Sequence, residues 1–147
     1  MENEAVISTH EKITVIVERY SKIPFDFNDI NTLTSWNRKL ACCLFDYSGE
    51  VGDLYKEAKG TEYARKTAFE RERLRLIGEG KSAAAAEVEA KTKIETVLLQ
   101  EVSADSDYRS AQMQLSAARD VLEAMRQHIA SLKMEHRLEM AGQGSQQ

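Results

Sequence analysis

Residues 56–81 hold eight bases against five acids, although the formal net charge of the 147-residue chain is −4. Arg65, Lys66, Arg71, Arg73, Arg75 and Lys81 lie there among Tyr63 and Phe69. On a helix, Arg71 and Arg75 are four apart and share one face, while Lys66 and Arg73 are seven apart and share another. Single-stranded nucleic acid asks for cations that neutralise phosphates, set beside aromatic or guanidinium planes on which bases stack. These six residues are therefore the candidate nucleic-acid-binding set. The same segment admits a plainer reading, in which Glu70 and Glu72 pair with the arginines along a solvated helix.

Other chemistries find no template. His10, His128 and His136 are too scattered for a zinc site, and no His-Glu-x-x-His run occurs. Gly49-Glu50-Val51-Gly52 and Gly78-Glu79-Gly80 put acids where a phosphate cradle needs bare amides. The expectation is a protein without catalytic residues, metal or cofactor. Glu87, Glu95, Glu101, Asp105 and Asp107 read as a solvated face that keeps an Ala-rich helix in solution. Cys42 and Cys43 are adjacent, which suits neither a disulfide nor a zinc knuckle, and they read as buried thiols in a reducing compartment.

The elements that must position the bases are helical. Pro24 is the only proline, 30% of residues are charged, and Ala, Glu, Lys, Leu and Arg dominate the later part of the chain, as in long helices. Tyr108, Ala111, Leu115, Ala118, Leu122, Met125, Ile129, Leu132 and His136 recur at alternating steps of three and four, a seam for packing along another helix. Traced backwards, the register passes through Ala104, Glu101, Val97, Ile94 and Ala90. One helix over residues 82–140 is expected, roughly 88 Å long. A second stripe runs through Leu33, Trp36, Leu40, Cys43, Tyr47, Val51, Leu54 and Ala58, then less regularly through Tyr63, Phe69, Leu74 and Ile77. Gly49 and Gly52 within it mark a kink or a close approach.

Ser8 with Glu11 forms a capping-box pattern, so a short helix is expected over residues 9–21. Pro24 ends it, and Phe25 and Phe27 in the following turn can pack back on the helices. Small polar residues at 29–34 start the second helix, Gly78-Glu79-Gly80 ends it, and Ser82 caps the next. The fold class is thus all-α: a long antiparallel helical hairpin, coiled-coil-like, with its turn near residues 78–81. Residues 1–29 form a leader and short N-terminal helix, 30–141 the hairpin domain, and 142–147 a disordered tail. So long a hairpin has more apolar stripe than it can cover alone, so a homo-oligomer is expected. No apolar run approaches the ~18 residues of a membrane span, and acids precede residue 6 where a signal peptide carries bases. A cytoplasmic protein without membrane contact is expected.

In this order of features, Ser35-Trp36-Asn37-Arg38-Lys39 opens a long helix and a basic stretch runs into Gly78-Glu79-Gly80. Thr96-Val97-Leu98 follows, and Glu139-Met140-Ala141-Gly142 closes the last helix. The pattern over residues 30–142 resembles the UvsY-type recombination mediators of bacteriophages. The resemblance implies a small helical protein that assembles into a ring and binds single-stranded DNA. It further implies help in loading a RecA-like recombinase onto strands covered by single-strand-binding protein, in the cytoplasm of an infected host. By position, the family's DNA-binding role falls on Arg71, Arg73 and Arg75. Residues 1–29 lie outside the resemblance. The alternative is a structural or scaffolding coiled-coil oligomer with no nucleic-acid role.

Overall fold

The computed structural model describes residues 7–144, of which 89% are helical, with no strand among them. The order is α1 (Thr9–Ser21), α2 (Ile30–Gly78), α3 (Ala83–Lys93) and α4 (Glu95–Gly144). The leader expected before Ser8 lies mostly outside the described residues. The disordered tail expected from residue 142 does so only in part, because α4 continues to Gly144.

Local chemistry accounts for each boundary. The Ser8 hydroxyl accepts from the Glu11 N–H at 3.2 Å, and the Glu11 carboxylate accepts from the Ser8 N–H at 2.8 Å. This closed capping box holds the Glu11 carboxyl below its usual range. Asp29 caps α2 by accepting from both the N–H and the hydroxyl of Thr32, at 3.0 and 2.7 Å. Ser82 caps α3 by accepting from Ala85 N–H at 3.3 Å. At the end of α2, Lys81 N–H reaches Leu76 C=O at 3.2 Å and Gly80 N–H reaches Ile77 C=O at 3.0 Å. Those two bonds make a Schellman motif, which needs Gly80 at its φ of 92°.

The expected single helix over residues 82–140 is divided at Ile94, whose φ of −96° and ψ of 13° leave the helical well. Nearby, the Thr92 hydroxyl bonds back to Val88 C=O at 3.3 Å, a contact that bends helices slightly. The interruption is slight. Ile94 N–H still bonds Ala90 C=O and Leu98 N–H still bonds Ile94 C=O, so Ala86, Ala90 and Ile94 stay in one buried register. Gly49 and Gly52 do not mark a close approach of another backbone. Helix α2 runs through both, and a Cβ at either position would meet nothing within 4 Å.

The described chain divides into two compact units, and the division cuts both long helices. Unit 1 contains the residues up to Gly49 and those from Gln114 onward. Its core takes Ile13 and Ile16 from α1, Leu33, Leu40, Leu44 and Tyr47 from α2, and Leu115, Ala118, Leu122 and Met125 from α4. Trp36, Ile129 and Leu132 are half-buried at its margin, while His136 is exposed. Polar groups inside are partnered: Asn37 Nδ2 donates to Leu122 C=O at 3.1 Å, and Tyr47 bonds Gln114 at 2.8 Å. His128, rather than His136, turns inward, with Nε2 3.0 Å from Phe27 C=O. Phe27 stacks on Trp36, ring centroids 6.2 Å apart. Phe25, expected to pack with it, is fully exposed. The thiols also depart from expectation, since Cys42 is exposed and Cys43 only half-buried.

Unit 2, Glu50–Met113, buries Val51, Ala58 and Leu76 of α2, Ala86 and Ala90 of α3, then Ile94, Ala104 and Ala111. Leu76, Ala86 and Ala90 form one cluster, with Phe69 packed on it. Glu72 meets Lys93, Arg65 meets Glu101 and Tyr55 meets Tyr108, so within this unit α2 and α4 run in opposite directions.

Candidate functional site

All six candidate cations belong to unit 2. The inward register of α2 there is Ala58, Glu62, Arg65, Phe69, Glu72 and Leu76, stepping by four and three. The stripe expected through Tyr63, Leu74 and Ile77 instead faces solvent, with Tyr63 73% and Leu74 59% exposed. A register partly occupied by charged residues is invisible to a count of apolar ones, and Leu76, the residue it leads to, is fully buried.

Arg65 therefore points inward. Its Nε lies 2.5 Å from Glu101 Oε2, and the side chains retain only 28% and 19% exposure. Glu101 is thus no part of a solvated face; it interrupts the apolar seam because it holds Arg65. Beside this pair, a cleft of about 470 Å³ is lined by Tyr55, Lys59, Glu62, Arg65 and Tyr108, among others. Several of its polar groups are engaged with one another. The Lys59 ammonium lies 2.8 Å from Glu62 and 5.9 Å above the Tyr55 ring. The Tyr55 and Tyr108 rings meet at 5.3 Å, tilted by 57°.

Four of the other five candidates are also paired. Lys66 lies 2.6 Å from Glu62 and Arg73 lies 2.9 Å from Glu70. Arg75 binds Glu72 at 2.7 Å and also Glu79, and Lys81 binds Glu89. Arg71 alone of the six is exposed without a carboxylate partner among the described residues. Electrostatics follow the geometry. Hydrogen bonds from Lys59 and then Lys66 hold the Glu62 carboxyl down at about 2, and a hydrogen bond from Arg75, helped by Lys93, does the same for Glu72. Arg75 is raised in return, chiefly by Glu72.

A carboxyl whose folded pKa is depressed stabilises the fold above its unfolded pKa, roughly 4.3, and loses that contribution as pH falls toward the folded value. Between about pH 4.5 and 2 the chain should thus become easier to melt. Glu72→Gln should shrink the difference between melting temperatures measured at neutral pH and near the acid end of that window. An unchanged difference would mean that the Arg75 and Lys93 contacts do not form in solution.

Among the described residues no three His, Cys, Asp or Glu side chains are gathered so as to hold a metal ion, and no helix is long and apolar enough to cross a membrane. The arrangement at the end of α2 is one of cations held by short-range carboxylate partners on an exposed surface, suited to exchanging one anion for another. No protein-family model matches the chain, and no curated protein or solved structure matches it either.

Proposed function

We propose that the chain is a non-enzymatic accessory protein that binds single-stranded DNA through the cations at the end of α2. Arg71, Arg73, Arg75, Lys66 and Lys81 carry that role, and Arg65 is withdrawn from it by Glu101. The observation that carries the reading is the exposure of this surface. Arg71 has no carboxylate partner among the described residues, Tyr63 presents its ring to solvent, and the pairs of Lys66, Arg73 and Arg75 join residues only three or four apart. Exposed pairs within one helix are screened by water and weak, so a phosphate can replace the carboxylate.

The finer architecture belongs to the same proposal. Helices α2 to α4 form a coiled-coil-like hairpin that assembles into a homo-oligomer, because Tyr63, Leu74, Leu99, Val102 and Met113 of unit 2 are large apolar side chains left at least half exposed. Repetition of a weak cationic patch around an oligomer makes it multivalent. The resemblance to UvsY-type mediators adds the biological setting: phage recombination in the host cytoplasm, with a RecA-like recombinase and single-strand-binding protein as partners.

A second reading, a structural oligomer with no nucleic-acid role, is favoured by the five cations already paired with carboxylates and by the net charge of −4. Fluorescence anisotropy with a labelled oligonucleotide separates the two. Micromolar binding is expected in low salt, weakening as salt rises. Replacing Arg71, Arg73 and Arg75 by Ala should weaken it for all sequences alike, flattening the salt slope by ~0.7 for each phosphate that is no longer neutralised. An absence of binding in low salt, with the mass in solution unaltered by the oligonucleotide, would establish the structural reading.

A further inference from the structure

Lys12 of α1 and Arg38 and Lys39 of α2 border a groove of about 510 Å³ within unit 1, a size in the range of ligand clefts, roughly 300–1,000 Å³. Its floor is aliphatic and sulfur-lined, formed by Ile7, Val15, Ile16, Cys42 and Cys43. The three cations differ from all of those at the end of α2 except Arg71. None of them has a carboxylate partner among the described residues, in a chain with more acids than bases. Asp46 is near enough to act on the Cys43 thiol together with Lys12, yet pairs with none of the three. Burial is the largest influence on that thiol and raises its pKa.

An exposed apolar groove selects an apolar occupant, and unpaired cations on its rim select an anionic one. Nucleic acid satisfies the rim but not the floor, which offers no aromatic plane for stacking. A peptide with carboxylates on one side and aliphatic side chains on the other satisfies both, as when an amphipathic segment lies in a groove between helices. We propose that the groove between α1 and α2 is a docking site for an acidic amphipathic segment of a partner protein. Its apolar side chains rest on Ile16 and Cys42, and its carboxylates meet Lys12, Arg38 and Lys39. This site depends on α1 and is separate from the cations of unit 2.

The test uses the full chain and three fluorescein-labelled peptides, with Leu at i, i+3, i+4 and i+7 among Asp, Ser at those positions among Asp, and Leu at those positions among Lys; they are called Asp–Leu, Asp–Ser and Lys–Leu. Anisotropy should report binding of the Asp–Leu peptide only. The combined variant Lys12→Glu, Arg38→Glu and Lys39→Glu, with its helix content checked by circular dichroism, should bind that peptide at least about tenfold more weakly. A second readout leaves the cations intact: in a Cys43→Ser variant, the Asp–Leu peptide should slow alkylation of Cys42. Equal binding of the Asp–Ser peptide, or alkylation unaffected by bound peptide, would overturn the proposal. So would displacement of the Asp–Leu peptide by an oligonucleotide, which would assign the rim to nucleic acid. A fall in solution mass of the charge-reversed variant would overturn it too, by making a second copy of the chain the occupant.

Discussion

Leu40→Ala should cost about 3 kcal/mol of unfolding free energy, within the roughly 2–5 kcal/mol range of buried Leu truncations. Leu40 has no exposed surface and lies seven residues from both Leu33 and Tyr47, which are themselves buried. It thus occupies the middle of the α2 stripe in unit 1, where Ile13 and Ile16 of α1 and Leu122 and Met125 of α4 are also buried. A side chain with no exposed surface sits in a close-packed interior, so the space left by the deleted atoms collapses only in part. Urea unfolding followed by circular dichroism, at one protein concentration for all variants, measures the effect. His136→Ala is the matched control, because His136 falls on the α4 seam by spacing yet is exposed, and its loss should stay within about 0.5 kcal/mol. A Leu40→Ala cost below about 1 kcal/mol would mean that the α2 stripe is not enclosed.

Much of this core was legible because apolar side chains at alternating steps of three and four have one physical outcome on a helix. From Tyr108 to Leu132 every position of the α4 seam is buried or half-buried. Helix ends were legible for a similar reason: Ser8, Ser82 and Gly80 satisfy backbone groups that no interior residue can satisfy. Three features were not legible. The interruption at Ile94 depends on a single residue's torsions, which no periodicity resolves. The α2 register beyond Ala58 passes through Glu62, Arg65 and Glu72, so an apolar count slides onto Tyr63 and Leu74, which lie on the opposite, exposed face. The groove joins Lys12 to Arg38 and Lys39 across a turn, and no spacing rule links residues on different helices. Ion pairing of the candidate cations was visible only as an alternative, since Glu70 and Glu72 could be seen beside the arginines while Glu89 and Glu101, held on other helices, could not.

The pair of Arg65 and Glu101 sets the second large expectation, because it places two charges at seam positions where neighbouring registers supply Ala58, Phe69 and Ala104. Removing one partner from a fully buried pair costs about 3–5 kcal/mol, since the remaining charge stays desolvated. With 28% and 19% exposure remaining, some water reaches both groups, and Arg65→Ala or Glu101→Leu should each cost about 2 kcal/mol. Replacing both together, as Arg65→Met with Glu101→Leu, removes both desolvated charges and extends the apolar seam. The double variant should therefore lie within about 1 kcal/mol of the unaltered chain, far from the sum of the single effects. Additive losses in the denaturation cycle would show that the two side chains act independently and that the 2.5 Å contact does not stabilise unit 2. The same double variant bears on function. Because Arg65 is engaged with Glu101, the variant should bind the labelled oligonucleotide as the unaltered chain does, whereas Arg71→Ala should weaken binding. A comparable loss in both would return Arg65 to the DNA-contacting set and require the Glu101 contact to open when DNA binds.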